Sequence, residues 1–117
     1  MAKPIVVPVT ISAGQSLSAS ADMSATTGSI TALLAPSSLT VGPNGRLNVS
    51  FQFSDDNVTF YNLVDNNGAE FLRMVKAGTA VEIISHVAQG LYLKVRSGAA
   101  ASPVVQSRDA VFKVVTN

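Results

Sequence analysis

Residues 46–65 alternate apolar and polar side chains on both sides of a short Asp/Asn turn. Successive side chains of a β-strand point to opposite faces of its sheet, so this alternation separates the segment into two faces. The apolar face of the first half consists of Leu47, Val49, Phe51 and Phe53. The pattern therefore predicts a β-hairpin that buries one face.

Turn residues such as Gly, Asn and Asp recur at intervals of about ten residues along the rest of the chain. Most segments between them are rich in β-branched and aromatic residues, which suit a pleated, half-buried surface. The predicted strands are residues 5–11, 16–23, 29–34, 46–54, 58–64, 70–75, 80–85, 91–96 and 110–116. A helical turn remains an alternative at 29–35, and a short one is also compatible with 85–89.

Eight or nine short strands in 117 residues predict an all-β fold, a single-domain, two-sheet β-sandwich spanning residues 1–117. The strand number favours a jelly-roll topology. An immunoglobulin-like topology remains the alternative, because many such domains also lack the cysteine pair and the central tryptophan that are missing here.

Composition restricts the partners of this chain. Charged residues make up 13% of it, about half the usual ~25%, and such a surface repels its neighbours weakly, which indicates assembly. The charges are scattered and sum to +1, so no nucleic-acid partner is expected. No apolar run approaches the ~18 residues of a membrane span, so no membrane partner is expected either.

The chain has no cysteine, and a single Lys3 before a run interrupted by prolines makes a poor signal peptide, so synthesis in the cytoplasm is expected.

Few residues could carry chemistry. The only histidine, His86, lies in no nucleophile motif and has no cysteine to share a zinc ion with. Asp55, Asp56 and Asp65 could bind calcium or act as paired carboxylates. Asp and Asn also close tight turns by bonding to the backbone two residues on, and this role explains the two Asp/Asn clusters better. We therefore predict no enzyme activity, no cofactor and no metal. We also predict that Phe60, which follows the first turn, lies in the core.

The segments SFQFSDDNVTFYNLVDNNGAEF and GLYLKVRSGAAASPVVQSRDAVFKVV form a recognisable pair. Together they resemble a group of small tailed-bacteriophage virion proteins with an S-x-D-G-x-T-F…L…D…G hairpin followed by LK[VL]RSGT…PV-x-Q…R. Asn57 stands where those proteins usually have Gly, and Ala99 stands where Thr is common. The resemblance covers residues 46–115, and its most distinctive part is LKVRSG with Pro103 and Gln106 behind it.

This resemblance implies a structural component of the phage particle. Among such components it favours a capsid decoration, or cement, protein on the virion's capsid surface, which is assembled in the host cytoplasm. A protein of this kind holds adjacent subunits of the major capsid protein from outside, typically as a homotrimer. The alternative is a tail or baseplate β-sandwich module for host or carbohydrate recognition, with Tyr61 or Tyr92 as exposed aromatic residues.

Two segments are candidate contacts with such partners. Residues 1–8 combine apolar side chains with two prolines that limit sheet pairing, so they could form an extended N-terminal arm or an edge strand of the protein's own sheet. The loop at 99–105 has small apolar residues that permit close approach, although it could be a flexible connection. The predicted interface residues are Lys3, Pro4, Ile5, Val6, Val7, Ala101, Pro103 and Val104.

Overall fold

The computed structural model describes residues 5–24, 30–85 and 91–116, except for the side chains of 84 and 85. The strands of these residues are β1 (Ile5–Ile11), β2 (Ala21–Asp22), β3 (Ile30–Leu34), β4 (Arg46–Ser54), β5 (Tyr61–Asn62), β6 (Arg73–Lys76), β7 (Ala80–Ser85), β8 (Tyr92–Ala99), β9 (Ser102–Pro103) and β10 (Ala110–Thr116). Apart from one 3₁₀ turn at Pro43–Gly45, this part of the chain has no helix, which confirms the all-β prediction. The segment 29–35, for which a helical turn was the alternative, forms β3 over residues 30–34. Of the other possible helical turn, at 85–89, residues 86–89 lie outside the described residues.

The strands form two antiparallel sheets. One sheet has four strands in the order β1-β10-β3-β7. The other has six strands and is built around β2-β8-β4-β5, with β6 also paired to β4 and β9 paired to β8. The two-sheet sandwich predicted from the spacing of turn residues is therefore confirmed.

The order of the strands identifies the topology. β5 and β6 share one edge of β4, and β9 extends β8 as a short hairpin. If β5 and β6 are counted as one strand, and β8 and β9 as another, eight strands remain. Numbered one to eight along the chain, they have the order 1-8-3-6 in one sheet and 2-7-4-5 in the other, which is the arrangement of a jelly roll. In immunoglobulin-like domains the last two strands are neighbours in one sheet, whereas β8 and β10 here lie in different sheets. The jelly-roll topology favoured by the strand number is therefore the one observed, and the immunoglobulin-like alternative is not.

Side chains from both sheets fill one core. The alternation in β4 buries all four apolar side chains predicted from it, and β8 and β10 bury every second residue in the same way. The fully buried side chains of largest volume are Phe112, Ile11, Met23, Ile30, Leu33, Ile83, Leu93, Gln106, Val49, Val75, Val95 and Val114. Gln106 is the one side-chain amide in this set.

The second strand of the predicted hairpin is shorter than expected. Only Tyr61–Asn62 pairs with β4, because Asp56 holds the preceding residues in a turn. Its Oδ1 accepts hydrogen bonds from the backbone N–H groups of Val58 and Thr59, both at 2.9 Å. Asn57 has a φ of 60°, a left-handed conformation that Gly and Asn adopt most readily. This left-handed geometry explains why Asn can stand at a position where the phage proteins that this segment resembles usually have Gly.

The prediction that Phe60 enters the core is wrong. Its ring is only half-buried and lies 4.3 Å from the ammonium group of Lys94. The Asp56 turn extends the loop by several residues, so Phe60 reaches the outer side of the sheet, where a cation–π contact covers it.

The strand predicted at 16–23 is also largely absent. Only Ala21–Asp22 is a regular strand, and Leu17 makes an isolated bridge to Arg96. Between them the Ser18 hydroxyl accepts the backbone N–H of Val95 at 2.9 Å. The Ser18 hydroxyl thus takes the place of a backbone carbonyl as the acceptor, and the ladder of backbone hydrogen bonds to β8 is interrupted there.

Candidate interaction surfaces

β1 is an edge strand of the four-stranded sheet. It pairs with β10 over its full length, from Ile5 opposite Thr116 to Ile11 opposite Ala110. The backbone carbonyl of Thr10 points away from β10, because it accepts the N–H of Ala19 at 3.4 Å. Backbone groups alternate in direction along an antiparallel strand, so those of Val6 and Pro8 also face the free edge. No strand of the described residues pairs there.

The structure separates the first group of predicted interface residues. Lys3 and Pro4 lie outside the described residues. Ile5 and Val7 are half-buried on the inner side of β1, whereas Val6 points outward with 49% of its surface exposed. Residues 5–8 therefore belong to the protein's own sheet, which is the edge-strand alternative that the sequence left open, and an extended arm could only comprise residues 1–4.

The second predicted segment forms an ordered hairpin. Gly98 pairs with Pro103, and Ala99 pairs with Ser102. The N–H of Ala100 at the tip donates to the carboxylate of Glu70, at 3.0 Å to Oε2. The flexible-connection alternative does not describe these residues, because both sides of the hairpin are held by hydrogen bonds.

The three predicted residues of this hairpin differ in exposure. Ala101 and Pro103 are exposed, while Val104 is half-buried and packs against the core. The backbone N–H of Val104 donates to the carbonyl of Ser97 at 2.8 Å. The surface open to a partner is therefore the tip of the hairpin and not its base.

Gln106 fixes the base of the hairpin. Its Oε1 accepts the N–H of Thr40 at 2.8 Å, and its Nε2 donates to the Thr40 carbonyl and to Ser97 Oγ. Its backbone exchanges hydrogen bonds with the turn at Gly14 and Gln15. Three loops that are distant in sequence therefore meet at this one side chain.

The most distinctive part of the phage resemblance is thus structural. In LKVRSG, Leu93 and Val95 are core residues, Ser97 binds Gln106, and Gly98 has a φ of 89°. A Cβ on Gly98 would lie 2.5 Å from the Ser102 carbonyl oxygen. These residues build the end of the sandwich, and their buried atoms are not open to a partner.

The two predicted contact segments lie at opposite ends of the molecule. β1 leads from Ile5 to Ile11 and then through Gly14 to the Gln106 cluster beside the hairpin. With a rise of about 3.4 Å per residue, Ile5 lies roughly 20 Å from that end. A single chain therefore presents the two predicted contact segments separately, one at each end.

The outward side of the four-stranded sheet is apolar. The registers Val6–Val115–Ala32 and Pro8–Lys113–Leu34 run across β1, β10 and β3. We call this surface the apolar sheet face; its apolar members are Val6, Pro8, Ala32, Leu34, Ala80, Val111 and Val115, and its charged members are Glu82 and Lys113. A shallow depression of about 300 Å³ between Leu34, Val111 and Lys113 indents it.

The outward side of the six-stranded sheet is mainly polar, although Met74, which lies opposite Asn48, is 51% exposed. Gln52 Nε2 donates to Asn62 Oδ1 at 3.1 Å, and Arg96 pairs with Glu70 at 3.4 Å. Asn48 is exposed beside them. Sequence reasoning missed this difference between the two faces, because the residues of each face come from strands far apart in the chain.

Asp56 and Asp65 show the turn role expected for them, since each accepts backbone N–H groups two to four residues on, whereas the Asp55 side chain accepts no hydrogen bond from the described residues. Hydrogen bonds from the backbone N–H groups of Thr59 and Val58, followed by the Ser54 hydroxyl, lower the pKa of Asp56 from its ordinary value. A backbone hydrogen bond from Ser24 lowers the pKa of Asp22. Among the described residues no three His, Cys, Asp or Glu side chains are grouped to hold a metal ion, and His86 lies outside them.

Comparisons with protein-family models, with curated proteins and with solved structures find no match to this chain. No helix in the described ranges has the length and apolar character needed to cross a membrane. The fold is that of a jelly-roll β-sandwich in which one outer face is mainly apolar, the β1 edge has no paired strand among the described residues, and a short hairpin lies at the far end.

Proposed function

We propose that this protein is a structural protein of a tailed-bacteriophage virion, and specifically a capsid decoration protein. In this proposal it assembles in the host cytoplasm as a homotrimer and binds the outer surface of the capsid, where it joins adjacent subunits of the major capsid protein. The sequence resemblance over residues 46–115 supports the phage assignment. The observation that supports the structural role is that the two predicted contact segments lie at opposite ends of one sandwich.

The mechanism rests on several weak contacts made together. Each end offers a small surface, with Val6 and the open edge of β1 at one end and Ala101 and Pro103 at the other. Linked contacts raise overall avidity by factors of about 10² to 10⁴ over any single one, because release requires all of them to break. A rigid body that spans roughly 20 Å between its contacts would resist separation of the subunits it joins.

A truncation of residues 1–4 tests the role of the N-terminal segment. This variant keeps Ile5–Pro8, which pair with β10, so the fold should remain intact. We expect it to lose most of its occupancy on empty heads that lack the decoration protein, as measured by quantitative binding and electron microscopy. Removing residues 1–8 is a poorer test, because it would uncover one edge of β10.

Copy number distinguishes a head location from a tail location. A decoration protein should be present in hundreds of copies per purified particle, and antibody labelling should mark the head. Full occupancy by the truncated protein would exclude a contribution of residues 1–4 but not one of Val6 and the edge of β1, and a few copies confined to the tail would overturn the capsid proposal itself.

One observation favours the alternative of a host-recognition or carbohydrate-binding module at the tail. Tyr61 is 64% exposed and borders a shallow depression of about 230 Å³ with Phe53, Asp55 and Leu91. Aromatic rings beside polar groups suit sugar binding. Glycan-array binding that is lost in Tyr61→Ala, together with labelling of the tail, would support this function over capsid decoration.

A further inference from the structure

We propose that the apolar sheet face is an interface between copies of this chain, in which Lys113 of one copy lies against Glu82 of the next. The inference concerns association of the free protein, so it does not depend on attachment to a virion. It arises from the composition of the face, from the placement of its two charges and from its size.

The composition of the face is unusual for a solvated surface. An antiparallel sheet that faces water on one side normally alternates apolar residues inward with polar residues outward. Here the outward side is also mainly apolar across β1, β10 and β3, with Thr10 and Lys113 as its polar members, and Val6 and Val111 are 49% and 39% exposed. The six-stranded sheet of the same molecule follows the usual rule, with Asn48 and Gln52 outward. A face of this kind is stabilised when another protein surface covers it.

The two charges of the face favour a second copy as the occupant. Lys113 is on β10 and Glu82 is on β7, which are separated by β3 and displaced by two residues along the strands. Standard strand spacings place them roughly 12 Å apart, too far for an ion pair, and neither has an ion-pair partner among the described residues. A face with one positive and one negative site on opposite sides is complementary to itself, because a two-fold axis brings each charge onto the other in a second copy; this contact is therefore distinct from the three-fold contacts of the proposed homotrimer.

Size sets the expected strength of this contact. Strand and residue spacings give the face roughly 300 to 400 Å² per copy, whereas a stable interface buries about 800 Å² per partner. We therefore expect association in the micromolar range, with the protein monomeric when dilute and oligomeric when concentrated.

Sedimentation velocity over about 1 to 500 µM tests the proposal, since this range spans a micromolar dissociation constant. The wild type should shift to an oligomer as concentration rises. Val111→Lys and Ala80→Lys place a charge at exposed positions of the face and should each weaken association at least tenfold, while circular dichroism and the thermal midpoint stay near wild type. Asn48→Lys places the same charge on the polar face and is the matched control, for which no weakening is expected.

A charge reversal tests the pairing itself. Lys113→Glu and Glu82→Lys should each weaken association, because each puts like charges together, and the double variant Lys113→Glu/Glu82→Lys should restore it. A wild type that stays monomeric at the highest concentration would overturn the proposal. So would association that Val111→Lys and Ala80→Lys leave unchanged, and failure of the double variant to recover would refute the Lys113–Glu82 contact. Capsid attachment is measured separately by the head-binding assay and does not depend on these outcomes, whereas a monomeric wild type would also remove the homotrimer from the proposed function.

Discussion

Gln106 Nε2 donates a 2.7 Å hydrogen bond to Ser97 Oγ, and neither residue has any exposed surface. The amide oxygen of the same side chain accepts the N–H of Thr40. A buried polar side chain is stable only when its donors and acceptors are paired. This relationship joins the loop after β3 to the hairpin after β8, so the end of the sandwich depends on it.

Replacing Gln106 with Leu should therefore destabilise the fold strongly. The substitution keeps the volume nearly constant but leaves the Thr40 N–H, the Thr40 carbonyl and the Ser97 hydroxyl without their partner. We expect a loss of about 2 to 4 kcal/mol in the free energy of unfolding, measured by urea denaturation. Gln15→Leu is the control; its side chain is exposed, and a comparable loss there would show that the hydrogen bonds of Gln106 are not the cause.

Gly98 and Gly68 form a matched pair of glycines. Both have a positive φ, of 89° and 81°, but a Cβ on Gly98 would meet Ser102 O at 2.5 Å and Val104 N at 2.8 Å, while one on Gly68 would meet nothing within 4 Å. Gly68→Ala should cost about 1 to 2 kcal/mol, from the left-handed conformation alone. Gly98→Ala adds backbone overlap and should cost more than about 3 kcal/mol. Equal thermal midpoints for the two variants would contradict this account.

The turn at Asp56 should make stability fall in acid. Hydrogen bonds from Thr59 and Val58 lower the pKa of Asp56 in the folded protein. The ionised carboxylate therefore stabilises the fold at any pH above the unfolded pKa of about 3.9. This stabilisation is lost as the pH falls through the lower pKa of the folded state. Urea midpoints measured from neutral pH to about pH 2 should therefore drop more in the wild type than in Asp56→Asn. Asp55→Asn is the control, because the described residues donate no hydrogen bond to that side chain; it should keep the wild-type drop in acid.

Glu70 should control the local order of the hairpin tip. Its carboxylate accepts the Ala100 N–H and pairs with Arg96. In Glu70→Ala we expect faster hydrogen exchange at the Ala100 amide, with a change in global stability below about 1 kcal/mol because the pair is partly exposed. The Val104 amide, which donates to Ser97, should keep its protection, and parallel acceleration of both amides would instead indicate that the whole hairpin opens.

Local patterns predicted the long strands well. The bounds of β1, β4, β7 and β10 agree with the sequence prediction, because in each of them inward and outward residues alternate or β-branched residues dominate. The failures lie where a side chain competes with the ladder. Ser18 replaces a backbone acceptor, and Asp56 lengthens a turn at the expense of the following strand.

The candidate surfaces were less predictable than the fold. Val6, Ala101 and Pro103 are exposed as an interface requires, whereas Ile5, Val7 and Val104 turn partly inward. The sequence showed that residues 5–8 are apolar, but not that they belong to an edge strand of the sheet. That distinction depends on β10, which lies more than a hundred residues later in the chain.

The sequence by itself determined which side chains of β4 face inward, because the two-residue period of an extended chain places Leu47, Val49, Phe51 and Phe53 on one side and polar residues on the other. It also determined the positions of the main turns, where Gly, Asn and Asp relieve backbone strain. Only the tertiary structure decided which strands are neighbours, and with that the jelly-roll order, the burial of Gln106 and the apolar sheet face. Val6, Val115 and Ala32 share one row of that face, and no local pattern can bring together residues so far apart in sequence.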